Sequence, residues 1–204
     1  MRSDQLLLTG ASGFIGSAVL KAASMRGLQV RPVFRTLNSA VQVCNAEDNS
    51  IFIPNIEANT DWNRALDGVD VVVHCAARAH VMADTSPSES QVLFRSINVD
   101  GTLNLAWQAA QAGVRRFVFL SSIGVNGVQT FGKPFSARDE VAPHSPYAVS
   151  KHEAEVGLRV LASQTGLELV IVRPPLVYGP GAPGNFGSLI RWLGRGWPLP
   201  LGAV

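Results

Sequence analysis

Two side chains set four residues apart, Tyr147 and Lys151, carry the first chemical suggestion in this 204-residue chain. In a helix that spacing puts both on one face, with Cβ atoms about 5–6 Å apart. An ammonium beside a phenol favours the phenolate and lowers a pKa that is ordinarily about 10. A tyrosine so placed can take a proton from an alcohol, or return one to a ketone, near neutral pH. The pair alone is common by chance, so its meaning depends on what surrounds it.

A second cluster is Gly10-x-x-Gly13-x-x-Gly16, with Ser12, Phe14 and Ile15 between the glycines. The first glycine permits a tight turn and the middle one lets backbone N–H groups approach a pyrophosphate. The third allows close packing of helix on strand, and a helix N-terminus adds positive potential. The spacing is GxxGxxG, not the GxGxxG of many dehydrogenases. Where a second strand would end, many dinucleotide folds carry a carboxylate for the ribose 2′-OH. Here that place reads Val33-Phe34-Arg35-Thr36, and Arg35 can pair with a 2′-phosphate. The cofactor expected is NADP or NAD, with a lean towards NADP.

Positioning these groups takes alternating strands and helices. Gln5–Thr9 reads as a strand running straight into the glycine turn, and Ile15, Ala18, Val19, Ala22 and Met25 recur at helical spacing until Gly27. Leu28–Phe34, a weak Ser50–Ile53, Asp70–His74, Arg116–Ser121 and Glu168–Arg173 are further strands. Asp61–Leu66 is a short helix with Asp61 as N-cap and Gly68 closing it. Gln91–Ala112 and Tyr147–Thr165 are long helices stopped by Gly113 and Gly166, and residues 124–146 read as a loop. Trp107 is expected to pack the first of these helices on the sheet. The pattern is that of an α/β doubly wound parallel sheet, a Rossmann fold.

The motifs occur in one order. Gly10-x-x-Gly13-x-x-Gly16 is followed by His74-Cys75-Ala76-Ala77, Asn98-Val99-Asp100-Gly101-Thr102 and Ser121-Ser122. Tyr147-x-x-x-Lys151 and Arg173-Pro174-x-x-Val177-Tyr178-Gly179-Pro180 complete the set. Together they resemble the extended short-chain dehydrogenase/reductases, the NAD-dependent epimerase/dehydratase group of nucleotide-sugar enzymes. The resemblance implies a catalytic set of Ser122, Tyr147 and Lys151. Ser122 would bond the reacting oxygen, Tyr147 would act as acid and base, and Lys151 would hold the nicotinamide ribose while tuning Tyr147. Asn98 would organise a proton path near Lys151, and Ala76 and Ala77 would let backbone approach the cofactor. Asn55 and Ile56 stand where relatives carry Asp-Leu or Asp-Ile against the adenine. Pro174 and Val177 would line the cofactor from the last motif, and Asn185 would touch the nucleotide-sugar.

Departures from the pattern are also informative. Relatives read Ser-Ser-x-x-Val-Tyr-Gly where this chain has Ser121-Ser122-Ile123-Gly124-Val125-Asn126-Gly127, so Asn126 replaces a substrate-side tyrosine. The 4,6-dehydratases place Asp-Glu after the catalytic hydroxyl residue, whereas Ile123 and Gly124 occupy those positions and argue against dehydration. The expected activity is hydride transfer at a sugar carbon, as a C4 epimerase or a 4-keto-sugar reductase. The alternative is a non-catalytic NAD(P)-binding module or an inactive fragment.

Composition narrows the remaining classes. Net charge is +2, with no basic run longer than Arg115-Arg116, which speaks against nucleic-acid binding. No apolar stretch approaches the ~18 residues of a membrane helix, and the start lacks the form of a signal peptide. The two cysteines, Cys44 and Cys75, make no disulfide framework, so a cytoplasmic protein is expected. His74 reads as a core histidine, and His80, His144 and His152 lack metal spacing, so no metal is expected. Arg78 and His80 either face the substrate or are solvated. Residues 1–178 are expected to form the NAD(P)-binding domain and 179–204 to begin a truncated substrate domain, with a homodimer left open.

Overall fold

The computed structural model describes residues 4–41, 43, 49–79 and 87–196. In chain order the elements are β1 (Gln5–Thr9), α1 (Phe14–Ser24), β2 (Gln29–Phe34), α2 (Leu37–Val41), β3 (Ile51–Phe52), α3 (Asn63–Leu66) and β4 (Val71–His74). Then come α4 (Pro87–Arg95), a π-helical segment (Ser96–Gly101), α5 (Thr102–Gln111) and β5 (Arg116–Leu120). A 3-10 turn (Ile123–Val125), α6 (Pro146–Thr165), β6 (Glu168–Val172) and α7 (Gly184–Gly194) complete the chain. All strand pairs are parallel, in the order β3-β2-β1-β4-β5-β6. Strand order reverses beside β1, and ligands of such sheets bind outside the carboxyl ends at that reversal.

Alternation along the strands divides the core between two faces. Leu7, Val33, Val72, Phe117 and Phe119 pack with Trp62, Leu105, Ala109 and Leu158 on the α5–α6 side. Leu8, Ala11, Phe34 and Ala40 pack with Val19 and Leu20 on the α1 side. Helix ends follow their sequence signals. Ser145 caps α6 by accepting the Ala148 N–H, Pro146 takes the first helical position, and Gly166 ends the helix at φ +76°. Helix α3 departs from its signal: it begins at Asn63 with Trp62, not Asp61, as its N-cap. The Asp61 carboxylate, one residue earlier, accepts the Asn63 N–H at 2.9 Å.

Three further expectations change. The helix expected over 91–112 begins at Pro87 and contains the π-helical segment. The loop expected over 124–146 opens with the last residues of the 3-10 turn. Trp107 is half exposed, because α5 buries Thr102, Leu105, Ala106 and Ala109 and position 107 falls on the opposite side. Among the described residues, the fully buried tryptophan is Trp62, before α3.

Candidate functional site

The glycine turn joins β1 to α1 at the strand reversal. Gly10 has φ +70°, and a Cβ there would lie 2.6 Å from the Ala76 nitrogen. A Cβ at Gly16 would lie 2.0 Å from the Gly10 oxygen, so neither position admits a side chain. The turn is drawn shut by the Gly13 N–H donating to Gly10 O at 2.9 Å. Gly13 is the N-cap of α1 and offers no side-chain cap, which leaves the first N–H groups of the helix directed out of the turn. Ser12 and Gly13 are exposed, and Phe14 and Ile15 are half-buried. Such a cradle suits an anionic phosphate group.

At the adjacent strand ends, Thr9, His74 and Phe119 stand in one row by register. Thr9 Oγ1 accepts the Ala76 N–H at 3.3 Å and meets His74 Nδ1 at 2.7 Å. His74 Nε2 meets Thr102 Oγ1 at 3.0 Å, so the ring ties β1 and β4 to α5. Burial, with the nearby Lys151 charge, lowers its pKa to about 3, and it stays neutral. It is a satisfied core histidine that fixes the Ala76 turn against Gly10.

Ser122 follows β5, and its Oγ accepts the Gly124 N–H at 3.1 Å, capping the 3-10 turn. Gly124 stands between Ser122 and α6, since a Cβ there would lie 3.4 Å from Ser122 Oγ and 3.5 Å from Ala148 Cβ. Tyr147, in the first turn of α6, is half-buried edge-on to Phe94, with ring centroids 6.1 Å apart. Lys151 is buried with its Nζ 4.2 Å above the Phe119 ring, a cation–π distance. Burial pushes Lys151 down to about 7, opposed by Cys75 and Glu155. Burial raises Tyr147 above its ordinary 10, so the lowering expected from Lys151 does not occur in the chain alone. The reason is that desolvation of the phenolate outweighs the pull of an amine that is itself half deprotonated near neutral pH. Burial likewise pushes the Cys75 thiol up to about 11, leaving it protonated and no nucleophile.

Asn98 lies in the π-helical segment and is buried. Its Oδ1 accepts the Arg78 N–H at 2.8 Å, and its Nδ2 donates to Arg78 O and Ser150 Oγ, each at 3.0 Å. Both amide donors are therefore taken by the protein, and Asn98 clamps the segment after β4 to α6. Ile56 packs on the same π-helical segment, where a Cβ at Gly101 would come within 2.8 Å of its Cγ2. Asn55 is exposed, and its carbonyl accepts the Thr60 hydroxyl at 3.0 Å. Arg35 is exposed after β2 and makes no ion pair among the described residues.

Pro174 O accepts the Ile123 N–H at 3.0 Å, directly behind Ser122. Val177 is partly exposed and lines a groove of about 1620 Å³ with Ser12, Phe14 and Ile15. That groove runs along α1 and reaches none of Ser122, Tyr147 and Lys151. It touches the turn but not the start of α6. Asn185 falls in α7, and its side chain lies outside the described residues, as do Cys44, His80 and residues 197–204.

A model of the NAD dependent epimerase/dehydratase family matches residues 6–193, from β1 through α7. The chain belongs to this family. A UDP-glucose 4-epimerase of Vibrio cholerae is 45% identical over 202 residues, which are 98% of this chain and 60% of that protein. An undecaprenol-linked sugar 4-epimerase of Escherichia coli O157:H7, N-acetyl-alpha-D-glucosaminyl-diphospho-ditrans,octacis-undecaprenol 4-epimerase, is 31% identical over 206 residues. They are 98% of this chain and 57% of that protein. Among solved structures, a UDP-glucuronic acid 4-epimerase from Bacillus cereus in complex with NAD superposes with a TM-score of 0.80 at 25% identity. It covers 96% of this chain and 64% of that one, so the chain spans about three fifths of these relatives.

Within this epimerase/dehydratase chain, the residues that spacing did not single out are Ser150, Glu155 and, in any role of its own, Arg173. Ser150 donates to Tyr147 O at 2.7 Å while receiving Asn98. Asn126 is buried, with its side chain bonded to Arg173 and Ser136. A buried charge on α6 and the arginine of the last motif were the available signals, but only the fold brings them together.

Proposed function

We propose that this chain carries the cofactor-binding and acid–base part of a nucleotide-sugar C4 epimerase that works by hydride transfer at a sugar carbon. The observation that carries the reading is the meeting of Ser122, after β5, with the first turn of α6 at Gly124, in a sheet whose β1, two strands away, ends in the Gly10–Gly16 cradle. The V. cholerae and B. cereus relatives support the same activity and a nucleotide-sugar substrate.

In this reading the first N–H groups of α1 would hold the dinucleotide pyrophosphate, and Gly10 and Gly16 would keep the approach clear. The bound nicotinamide supplies a hydride acceptor that can return the hydride. Tyr147 Oη takes the proton from the sugar hydroxyl and gives it back after the keto-sugar has turned. Ser122 Oγ bonds the same oxygen. Lys151, as an ammonium, favours the Tyr147 phenolate that burial alone disfavours. Ile123 and Gly124 place no carboxylic acid after Ser122, so elimination of water has no acid there. Arg35 favours a 2′-phosphate, hence NADP(H) over NAD(H), and residues 179–196 open the substrate unit.

The full chain, given NAD(H) or NADP(H) in parallel with a panel of UDP- and dTDP-sugars, tests this. An epimer formed without net cofactor change is expected, and Tyr147→Phe should lower turnover at least about 100-fold. Stoichiometric NADPH loss with a keto-sugar would make the chain a 4-keto reductase instead. Wild-type turnover with Tyr147→Phe fully active would remove Tyr147 from the chemistry, and tighter binding of NAD than NADP would remove the role given to Arg35.

A further inference from the structure

Behind the proposed site lies a buried polar cluster centred on Glu155. This residue follows Lys151 by one turn of α6 and is 1% exposed. Its carboxylate accepts Ser121 Oγ at 2.6 Å and Arg173 Nε at 2.8 Å, and Arg173 Nη2 completes a two-pronged pair. Arg173 Nη1 donates to Asn126 Oδ1 at 3.1 Å, and Asn126 Nδ2 donates to Ser136 O at 3.1 Å. Main-chain bonds run alongside, from Ser121 N–H to Val172 O at 2.7 Å and from Ile123 N–H to Pro174 O at 3.0 Å. Four segments therefore converge on one carboxylate: α6, the end of β5, the end of β6 and the loop after the 3-10 turn.

A buried ion pair is a poor device for stability alone, because desolvation offsets much of its attraction and apolar side chains would serve as well. What it adds is fixed direction, through the planar fork of the arginine, and a charge. The charge sits about 6 Å along the helix axis from Lys151. The groups facing Lys151 are His74 from β4, Cys75 just after it, Phe119 from β5, and Glu155 from its own helix. Cys75 and His74 are both held neutral by burial, so the ionised carboxylate among them is Glu155. Around Glu155 stand Arg173 and the more distant, exposed Arg159 at 3.9 Å.

We propose that Glu155 is a positioning residue: through Ser121 and Arg173 it sets the Ser122 turn against Tyr147, and it places a carboxylate charge one helical turn from Lys151. The role at Ser122 rests on the hydride-transfer reading, whereas the effect on Lys151 can be measured with no substrate present.

Glu155→Gln keeps the size of the side chain and one acceptor oxygen but removes the charge. Lys21, Lys133 and Lys151 are the lysines of the chain, so nuclear magnetic resonance of isotope-labelled lysine separates the buried one by its titration. The Lys151 midpoint is expected to fall by roughly one pH unit in Glu155→Gln, with the stranded Arg173 charge acting in the same direction. Turnover at neutral pH should drop roughly 10- to 100-fold, with cofactor affinity retained. Ser121→Ala should lower kcat while leaving the Lys151 midpoint in place, which separates reach from charge. If Glu155→Gln does not fold, Ser121→Ala and Asn126→Ala, which strand no charge, carry the test through kcat at unchanged cofactor affinity. An unmoved Lys151 midpoint, or a lower Tm with kcat intact, would make the cluster a fold element only and overturn the proposal. A wild-type chain that turns over no sugar would fail the epimerase reading by itself, and the Lys151 titration would still decide the role of Glu155.

Discussion

At Lys151 the demands of folding and of the proposed chemistry oppose each other. The side chain is 1% exposed, forms no ion pair among the described residues, and has its pKa pushed down to about 7 by burial. Holding an ammonium there costs stability, and the ring of Phe119 offsets only part of that cost. Lys151→Met keeps the apolar stem and removes the charge. It is expected to raise stability by about 1–3 kcal/mol at neutral pH, read by denaturant titration, while turnover falls to background. A destabilised Lys151→Met would show that the amine is paid for locally after all. This trade was partly legible in the sequence. Tyr147 and Lys151 could be paired because their spacing fixes them on one face, and Ser122 because it ends an apolar strand. Glu155 and Arg173 could not, because their contact depends on how α6 and β6 lie together, and no local period encodes that.

Among the elements, the stretch from Pro87 to Gln111 shows what periodicity leaves out. Apolar residues recur through it at helical spacing, which predicts one continuous helix, and the helical character is right. The wider turn over Ser96–Gly101 shifts register by a fraction of a turn, too little to disturb a pattern counted over 20 residues. That segment holds Asn98 against Arg78 and Ser150, and it brings Gly101 under Ile56. A Cβ at Gly101 would meet the Ile56 backbone oxygen at 2.8 Å as well as its side chain. The strand-to-helix segment at 55–56 would have to move, and backbone does not give way as a flexible side chain does. Gly101→Ala should therefore cost about 1–3 kcal/mol and weaken dinucleotide binding, since the displaced segment is the one expected beside the adenine. Calorimetric titration of the cofactor against wild type and variant measures the binding, and denaturant titration measures the stability. The same register argument explains Trp107, whose apolar neighbours Leu105 and Ala109 face the sheet while position 107 turns outward.

For the whole molecule, five buried or half-buried groups make the pH dependence of stability a test of the fold. His74 is protonated at 6.5 in an unfolded chain but stays neutral down to about 3 when buried. Between those limits the unfolded chain binds the extra proton, so stability falls with falling pH at about 1.4 kcal/mol per unit. Glu155 acts in the same direction lower down. Burial would raise its pKa, but its bonds to Arg173 and Ser121 and the arginine charges outweigh that and hold it below the ordinary 4.5. Its contribution is present above that value and is lost as pH falls through the depressed folded one. Lys151 carries the trend upward, because from about 7 to 10.5 the unfolded chain holds a proton that the buried amine has given up. Stability therefore rises from about 7 to 9, and from there to about 11 the Cys75 thiol, which ionises first in the unfolded chain, cancels the rise. Tyr147 acts in the same direction as Cys75. Its folded pKa lies above 10, so at higher pH the unfolded chain ionises first and stability turns down. A stability maximum on the alkaline side of neutrality is expected for the chain without cofactor, with a loss that begins near pH 6.5 and is steepest below about 4.5, where His74 and Glu155 act together. Denaturant midpoints across that range give the curve, and His74→Gln should flatten its acid limb while leaving the rise above neutral pH in place. A maximum below pH 6.5 would mean that His74 and Lys151 are solvated, and the row of strand ends that supports the Ala76 turn would then be assembled differently.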